Sequence, residues 1–78
     1  MRTGPKEVFL GRLLLGWSRA RLAQESEVPV SEVYTFEKIG EADPAAVVKI
    51  KAVLQVAGIE FISSENGGPG VRLRKTER

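Results

Sequence analysis

Apolar residues along the chain fall into helical spacing for about the first 57 positions and then change to a two-residue alternation. Val8, Phe9 and Leu13, with the neighbouring Leu10, Leu14 and Leu15, give a helical stripe to about residue 15. Thr3 is the expected N-cap, Pro5 a favoured early helical residue and Gly16 the stop. Trp17 follows, expected to fold back over the core. Ser18 caps a second helix, Arg19 to about Ser26, with Leu22 and Ala23 on one face. Glu27-Val28-Pro29 forms a turn, and Pro29 fits the first turn of the next helix, where its missing N–H costs nothing. That helix runs from about Pro29 to Ile39 and stops at Gly40. Val33 and Phe36 face inward; Val30, Ser31, Tyr34, Thr35 and Lys38 are left to face out. Asp43-Pro44 opens a fourth helix to about Ala57, with Val47, Ile50, Leu54 and Ala57 facing the core, Val53 beside them, and Gly58 as C-cap.

After Gly58 the pattern becomes β. Ile59-Glu60-Phe61-Ile62 precedes Glu65-Asn66-Gly67-Gly68-Pro69-Gly70 and then Val71-Arg72-Leu73-Arg74, where Asn-Gly and Gly-Pro signal a turn. A hairpin alone is marginal in water. Phe61, Ile62, Val71 and Leu73 therefore either cover the core of their own subunit or join a second copy across a twofold, where the strand edge can also pair. Lys75 to Arg78 reads as a frayed polar end. The expected fold is mainly α: four helices over residues 1–58, with a short C-terminal β-hairpin over 59–78 that is part of the same compact domain or a dimer element.

Composition narrows the chemistry. The chain has 78 residues and 42% apolar content, enough for one small globular domain with a modest core. It has no Cys and no His, and no carboxylate cluster has the spacing of a calcium loop, so no metal or other cofactor is expected. Nor can a nucleophile–base pair or an acid/base dyad be assembled, so an enzyme is not expected. No apolar run is long enough to span a bilayer, and no signal peptide opens the chain, which points to the cytoplasm.

The net charge of +2 conceals two basic ends around an acidic middle. Arg2, Lys6, Arg12, Arg19 and Arg21 face Glu7 alone in the first 21 residues. Glu25, Glu27, Glu32, Glu37, Glu41 and Asp43 then face Lys38 alone, and the end is basic again with Arg72, Arg74, Lys75 and Arg78. Basic surface suits a polyanion, and equally an ordinary solvated surface. Arg19 and Arg21 stand where a helix dipole disfavours cations by roughly 0.3–1 kcal/mol each. A phosphate bound at the same N-terminus would offset that cost; otherwise both side chains extend into water.

Residues 18–38 thus form a short helix, a tight turn and a second short helix, the helix-turn-helix layout whose second helix usually enters the major groove of DNA. Gly11-Arg12-Leu13-Leu14-Leu15-Gly16-Trp17-Ser18, Leu22-Ala23, Val28, Val33 and Phe36-Glu37-Lys38 resemble the Cro/phage-repressor-like (XRE) helix-turn-helix family. Asp43-Pro44, Ile50, Leu54, Ala57-Gly58-Ile59-Glu60-Phe61 and Asn66-Gly67-Gly68-Pro69-Gly70-Val71-Arg72-Leu73 are similar to a compact bacterial subgroup with a short β tail. The resemblance implies a four-helix, lambda-repressor-like helix-turn-helix domain and a DNA-binding transcriptional regulator, usually a repressor that binds double-stranded DNA as a homodimer, placed at the nucleoid. Two recognition helices would then lie about one DNA turn apart, roughly 34–36 Å.

By position, the resemblance makes Arg12 and Glu37 a buried ion pair joining the first helix to the end of the recognition helix. It places Ser18 and Arg19 at the DNA backbone, Val30, Ser31 and Thr35 at base edges, and Lys38 near the backbone. Several positions depart from the family pattern. Glu27 stands where Gly is usual, Pro29 where Ser or Thr is, Val30 where a polar or basic residue is, Arg21 where Glu is common, and Ile39 where Gly is common. The outward face carries Glu32 and Tyr34, and no Arg, Asn or Gln is there to grip a purine bidentately. Direct readout is left to Val30 on a thymine methyl, single hydrogen bonds from Ser31 and Thr35, and Glu32 accepting from cytosine. Affinity would rest on Arg19, Arg21, Lys38 and the basic tail. The alternative keeps the fold but binds a protein, as an antitoxin-like or adaptor module, through an apolar patch of Tyr34, Val30 and Pro29.

Overall fold

A computed structural model of the chain describes residues 4–62 and 70–74. Thr3, the Asn66-Gly67 and Gly68-Pro69 turn signals and the polar end Lys75 to Arg78 lie outside those residues.

Local cap chemistry sets most helix limits. Helix α1 (Pro5–Leu15) begins with Pro5 at its first position, and the N-cap is Gly4, one residue later than the Thr3 expected from the sequence. The Gly4 N–H donates to Glu7 Oε1 at 3.0 Å, so a side chain one turn into the helix reaches back to the N-cap backbone. Gly16 ends α1 and Gly40 ends α3 (Val30–Ile39), both left-handed at φ 72 and 76, where a Cβ would be strained. Ser18 caps α2 (Arg19–Ser26): its Oγ accepts from the Arg21 N–H at 3.0 Å. Asp43 caps α4 (Pro44–Val56) by accepting from the Ala45 N–H at 2.9 Å.

Two further limits move by one residue. Pro29 is the N-cap of α3 rather than its first helical residue, with the Glu32 N–H donating to its carbonyl at 3.0 Å. Ala57, not Gly58, is the C-cap of α4. The α2–α3 turn is closed by Glu27 in the left-handed region, φ 60 and ψ 42. Its N–H and that of Val28 reach back to the Gln24 and Ala23 carbonyls, the hydrogen bonding that terminates a helix before a sharp turn. A non-glycine there costs roughly 1–2 kcal/mol. The turn therefore adopts a left-handed geometry that favours glycine without having one.

Val8, Leu22, Ala23, Val33, Phe36, Ile50, Leu54 and Ile59 form the core, one or two from each helix and one from the first strand. Ala46 is buried as well. Full burial of an aliphatic side chain of this size contributes about 1.5–3 kcal/mol. Leu15, Trp17, Val28, Ala42, Val47 and Val53 pack around this centre.

Strands β1 (Ile59–Ile62) and β2 (Gly70–Leu73) pair antiparallel, with Ile59 opposite Leu73, Glu60 opposite Arg72, Phe61 opposite Val71 and Ile62 opposite Gly70. The second strand starts and ends one residue earlier than the Val71–Arg74 run. Ile59, Phe61 and Val71 turn toward the helices, and Phe61 and Val71 pack against the core of their own subunit. On the other face Arg72 Nε meets Glu60 Oε1 at 2.7 Å. The strands rest on α4 and α1. Gly11 makes this possible: a Cβ there would already sit 3.4 Å from Ile59 Cγ2, so a side chain longer than Ala would push the hairpin away.

The α1 stripe corrects a further expectation. Of its six apolar residues only Val8 and, in part, Leu15 turn inward; Gly11 and Arg12 occupy the rest of the inner face. Phe9, Leu10, Leu13 and Leu14 are exposed. A helix in contact with both a hairpin and a buried guanidinium has no room for a second row of leucines on its inner side. No helix among the described residues is long and apolar enough to cross a membrane.

Candidate nucleic-acid interface

The outward face of α3 is set by what its inward face must bury. Val33 and Phe36 are one turn apart and enter the core, and this rotation turns Val30, Ser31, Tyr34 and Lys38 to the surface. Val30 is 50% exposed and Tyr34 48%, with Thr35 half-buried beside them. Glu32 does not join this face freely. It is half-buried, and its Oε1 accepts the Asp43 N–H at 3.2 Å, bracing α3 against the start of α4. Reading a cytosine through Glu32 would mean giving up that brace.

Beneath the face lies an ionic hub. Arg12 is 7% exposed, and an unpaired charge at such depth would be very costly. Its Nε donates to Glu37 Oε2 and its Nη2 to Glu37 Oε1, each at 2.9 Å, a bidentate fork. Its Nη1 donates to the Trp17 carbonyl at 3.0 Å. One guanidinium thereby ties α1, the α1–α2 connection and the last turn of α3 together. Arg19, at the first position of α2, donates from Nε to the same Glu37 Oε1 at 3.2 Å. Two guanidiniums share one carboxylate, so the hub keeps a net positive charge, and it keeps it at the surface end, where the Arg19 side chain is 42% exposed.

The arginines at the α2 N-terminus do not simply extend into water. Arg19 leans on Glu37 and lies over the Tyr34 ring, 5.2 Å from its centroid. Arg21 donates to Glu25 Oε2 at 3.0 Å and lies 4.7 Å from the centroid of Trp17. Trp17 and Glu25 were not among the candidate residues. The i,i+4 spacing of Arg21 and Glu25 is a legible signal for that pair; the stacking on Trp17 leaves no comparable signature. Lys38 comes within 6.0 Å of the Tyr34 centroid from the other end of α3.

Around the α2 N-terminus the structure therefore gathers Ser18, Arg19, Tyr34 and Lys38, beside the surface positions Val30, Ser31 and Thr35. Of the dimer candidates, Phe61 and Val71 are partly buried against the core of their own chain, Ile62 is half-buried, and Leu73 is exposed. A separate open hollow of about 390 Å3 lies between Trp17, Glu25 and Ala52, Val53, Val56 and Ala57. It is apolar with a single carboxylate in its wall, which offers no pair of groups for acid–base work. No protein-family model matches the chain, and no curated protein matches it.

Proposed function

We propose that the protein is a DNA-binding transcriptional regulator of the Cro/phage-repressor-like (XRE) kind, probing the major groove with α3, and that it is a binding protein rather than an enzyme. The observation that carries this reading is the exposed outward face of α3, with Ser31 and Lys38 on it, standing beside a hub with surplus positive charge at the N-terminus of α2. Ser18, Arg19 and Lys38 supply the phosphate contacts that fix orientation, and Val30, Ser31 and Thr35 lie where base edges would be met. Arg21 contributes once its link to Glu25 is exchanged for a phosphate. With single hydrogen bonds and one apolar contact for readout, affinity rests mainly on phosphates and falls steeply with salt.

The test is retention of genomic fragments by the purified protein at low salt, followed by sequencing of what is held. Enrichment of a short, twofold-related sequence is expected. Failure to hold any fragment would favour the second reading, an antitoxin-like or adaptor module. That reading draws support from the exposure of Val30 and Tyr34 on the same face.

Two half-sites would call for a homodimer. With Phe61 and Val71 packed against the core, one exposed apolar row available for it is Leu10, Leu13 and Leu14 of α1, with Leu73 also exposed. We place the twofold contact there, because it keeps α3 uncovered and removes an apolar face from water. Leu13→Lys with Leu14→Lys is expected to yield a folded monomer by light scattering. An unchanged dimer mass would move the interface elsewhere.

A further inference from the structure

Tyr34 is the largest side chain on the outward face of α3, yet it neither enters the core nor stands alone. Arg19 from α2 lies 5.2 Å from its ring centroid, and Lys38, one turn later on α3, lies 6.0 Å from it. Both distances fall within the range at which a ring's negative face attracts a cation. Arg19 is held from two sides, by this ring and by Glu37. The bond to Glu37 uses only Nε–H among the five donors of the guanidinium. A long, flexible cation ordinarily loses rotamer freedom when it grips a phosphate. Here an aromatic plate limits that freedom beforehand.

We infer that Tyr34 is a positioning residue: its ring holds Arg19 and Lys38 at a fixed separation as a two-pronged clamp for the phosphates of one DNA backbone. The inference rests on the DNA-binding reading and deepens it. Tyr34 acts through the cations rather than by reading a base. Its contribution is therefore the same on every sequence, and it depends on the ring and not on the hydroxyl.

The experiment is fluorescence anisotropy on a mixed-sequence duplex and on an enriched one, over a range of salt concentrations. It uses the full chain as parent, Tyr34→Phe, Tyr34→Leu, Arg19→Gln and the Arg19→Gln/Tyr34→Leu double variant. The exposed position of Tyr34 lets Tyr34→Leu fold, which a melting curve checks. Expected is binding by Tyr34→Phe equal to the parent. Tyr34→Leu should bind about three- to tenfold more weakly on both duplexes, as loss of one or two exposed cation–π contacts allows, with a shallower salt slope. In the Arg19→Gln background the Tyr34→Leu loss should shrink, because the residue it acts through is gone.

Three results would overturn the inference while leaving DNA binding intact: an affinity and slope for Tyr34→Leu equal to the parent's, a loss confined to the enriched sequence, or additive losses in the double variant. A parent that binds neither duplex at low salt would remove the DNA reading and this inference with it.

Discussion

Glu37→Ala is expected to destabilise the domain by about 3–5 kcal/mol, the usual cost of removing one partner of a buried pair. For a chain of this length that is a large share of the roughly 4–12 kcal/mol available at 0.05–0.15 kcal/mol per residue. The reason is the position of Arg12. Its guanidinium is 7% exposed, makes two of its three described hydrogen bonds to Glu37, and would be left with the Trp17 carbonyl alone. Arg19 would lose its anchor in the same step. The melting temperature should fall by at least about 12 °C, at roughly 4 °C or more for each kcal/mol in a domain this small. Replacing both partners, Arg12→Met with Glu37→Leu, should recover much of the loss, because no charge is then stranded in the interior. A Glu37→Ala melt equal to the parent's would mean that Arg12 finds water or another acceptor.

Neutralising Arg19 and Lys38 together is expected to have the largest effect on function at the smallest cost in stability, since both side chains reach the surface. If each makes one charge-assisted phosphate contact of about 1.5 kcal/mol, Arg19→Gln with Lys38→Gln should weaken binding by about a hundredfold at fixed salt. The slope of log affinity against log salt should drop by roughly two. Both changes should be the same on enriched and scrambled duplexes, because phosphates carry no sequence. Anisotropy titrations measure this directly. A loss restricted to one sequence would make the two residues base readers, and an unchanged slope would take them off the DNA.

The elements most legible in the sequence are those whose causes are local. Ser18 and Asp43 announce helix starts because their oxygens satisfy N–H groups two or three residues on. Gly16 and Gly40 announce stops because a left-handed residue is needed there. Val33 with Phe36, and Ile50 with Leu54, give the inward faces by spacing alone. The α1 leucines were not legible in this way. Apolar residues cover most of that helix, so periodicity cannot choose a side, and the choice is made by groups distant in sequence. Ile59 leaves no room at position 11 for a side chain longer than Ala, and Glu37 needs the guanidinium of Arg12.

The site divides along the same line. The outward positions of α3 follow from the helical period once Val33 and Phe36 are inside. The Arg12–Glu37 fork was suggested only by family resemblance, since nothing local draws an arginine into an apolar helix face. The sharing of Glu37 by Arg19, and the plate that Tyr34 provides, depend on the angle between α2 and α3. Glu27 is a further case: its residue type argues against the left-handed turn that it nonetheless makes, because the hydrogen bonds to Ala23 and Gln24 and the packing of Val28 over-determine the backbone there.

The most direct test of α3 as a groove-probing helix is a backbone-amide NMR titration of the folded protein with a duplex at low salt. The expected result is shifts concentrated at Ser18 to Arg21 and Val30 to Lys38, fading as salt is raised. Shifts confined to α1 and the hairpin, with the α3 amides unmoved while the duplex is bound, would contradict it.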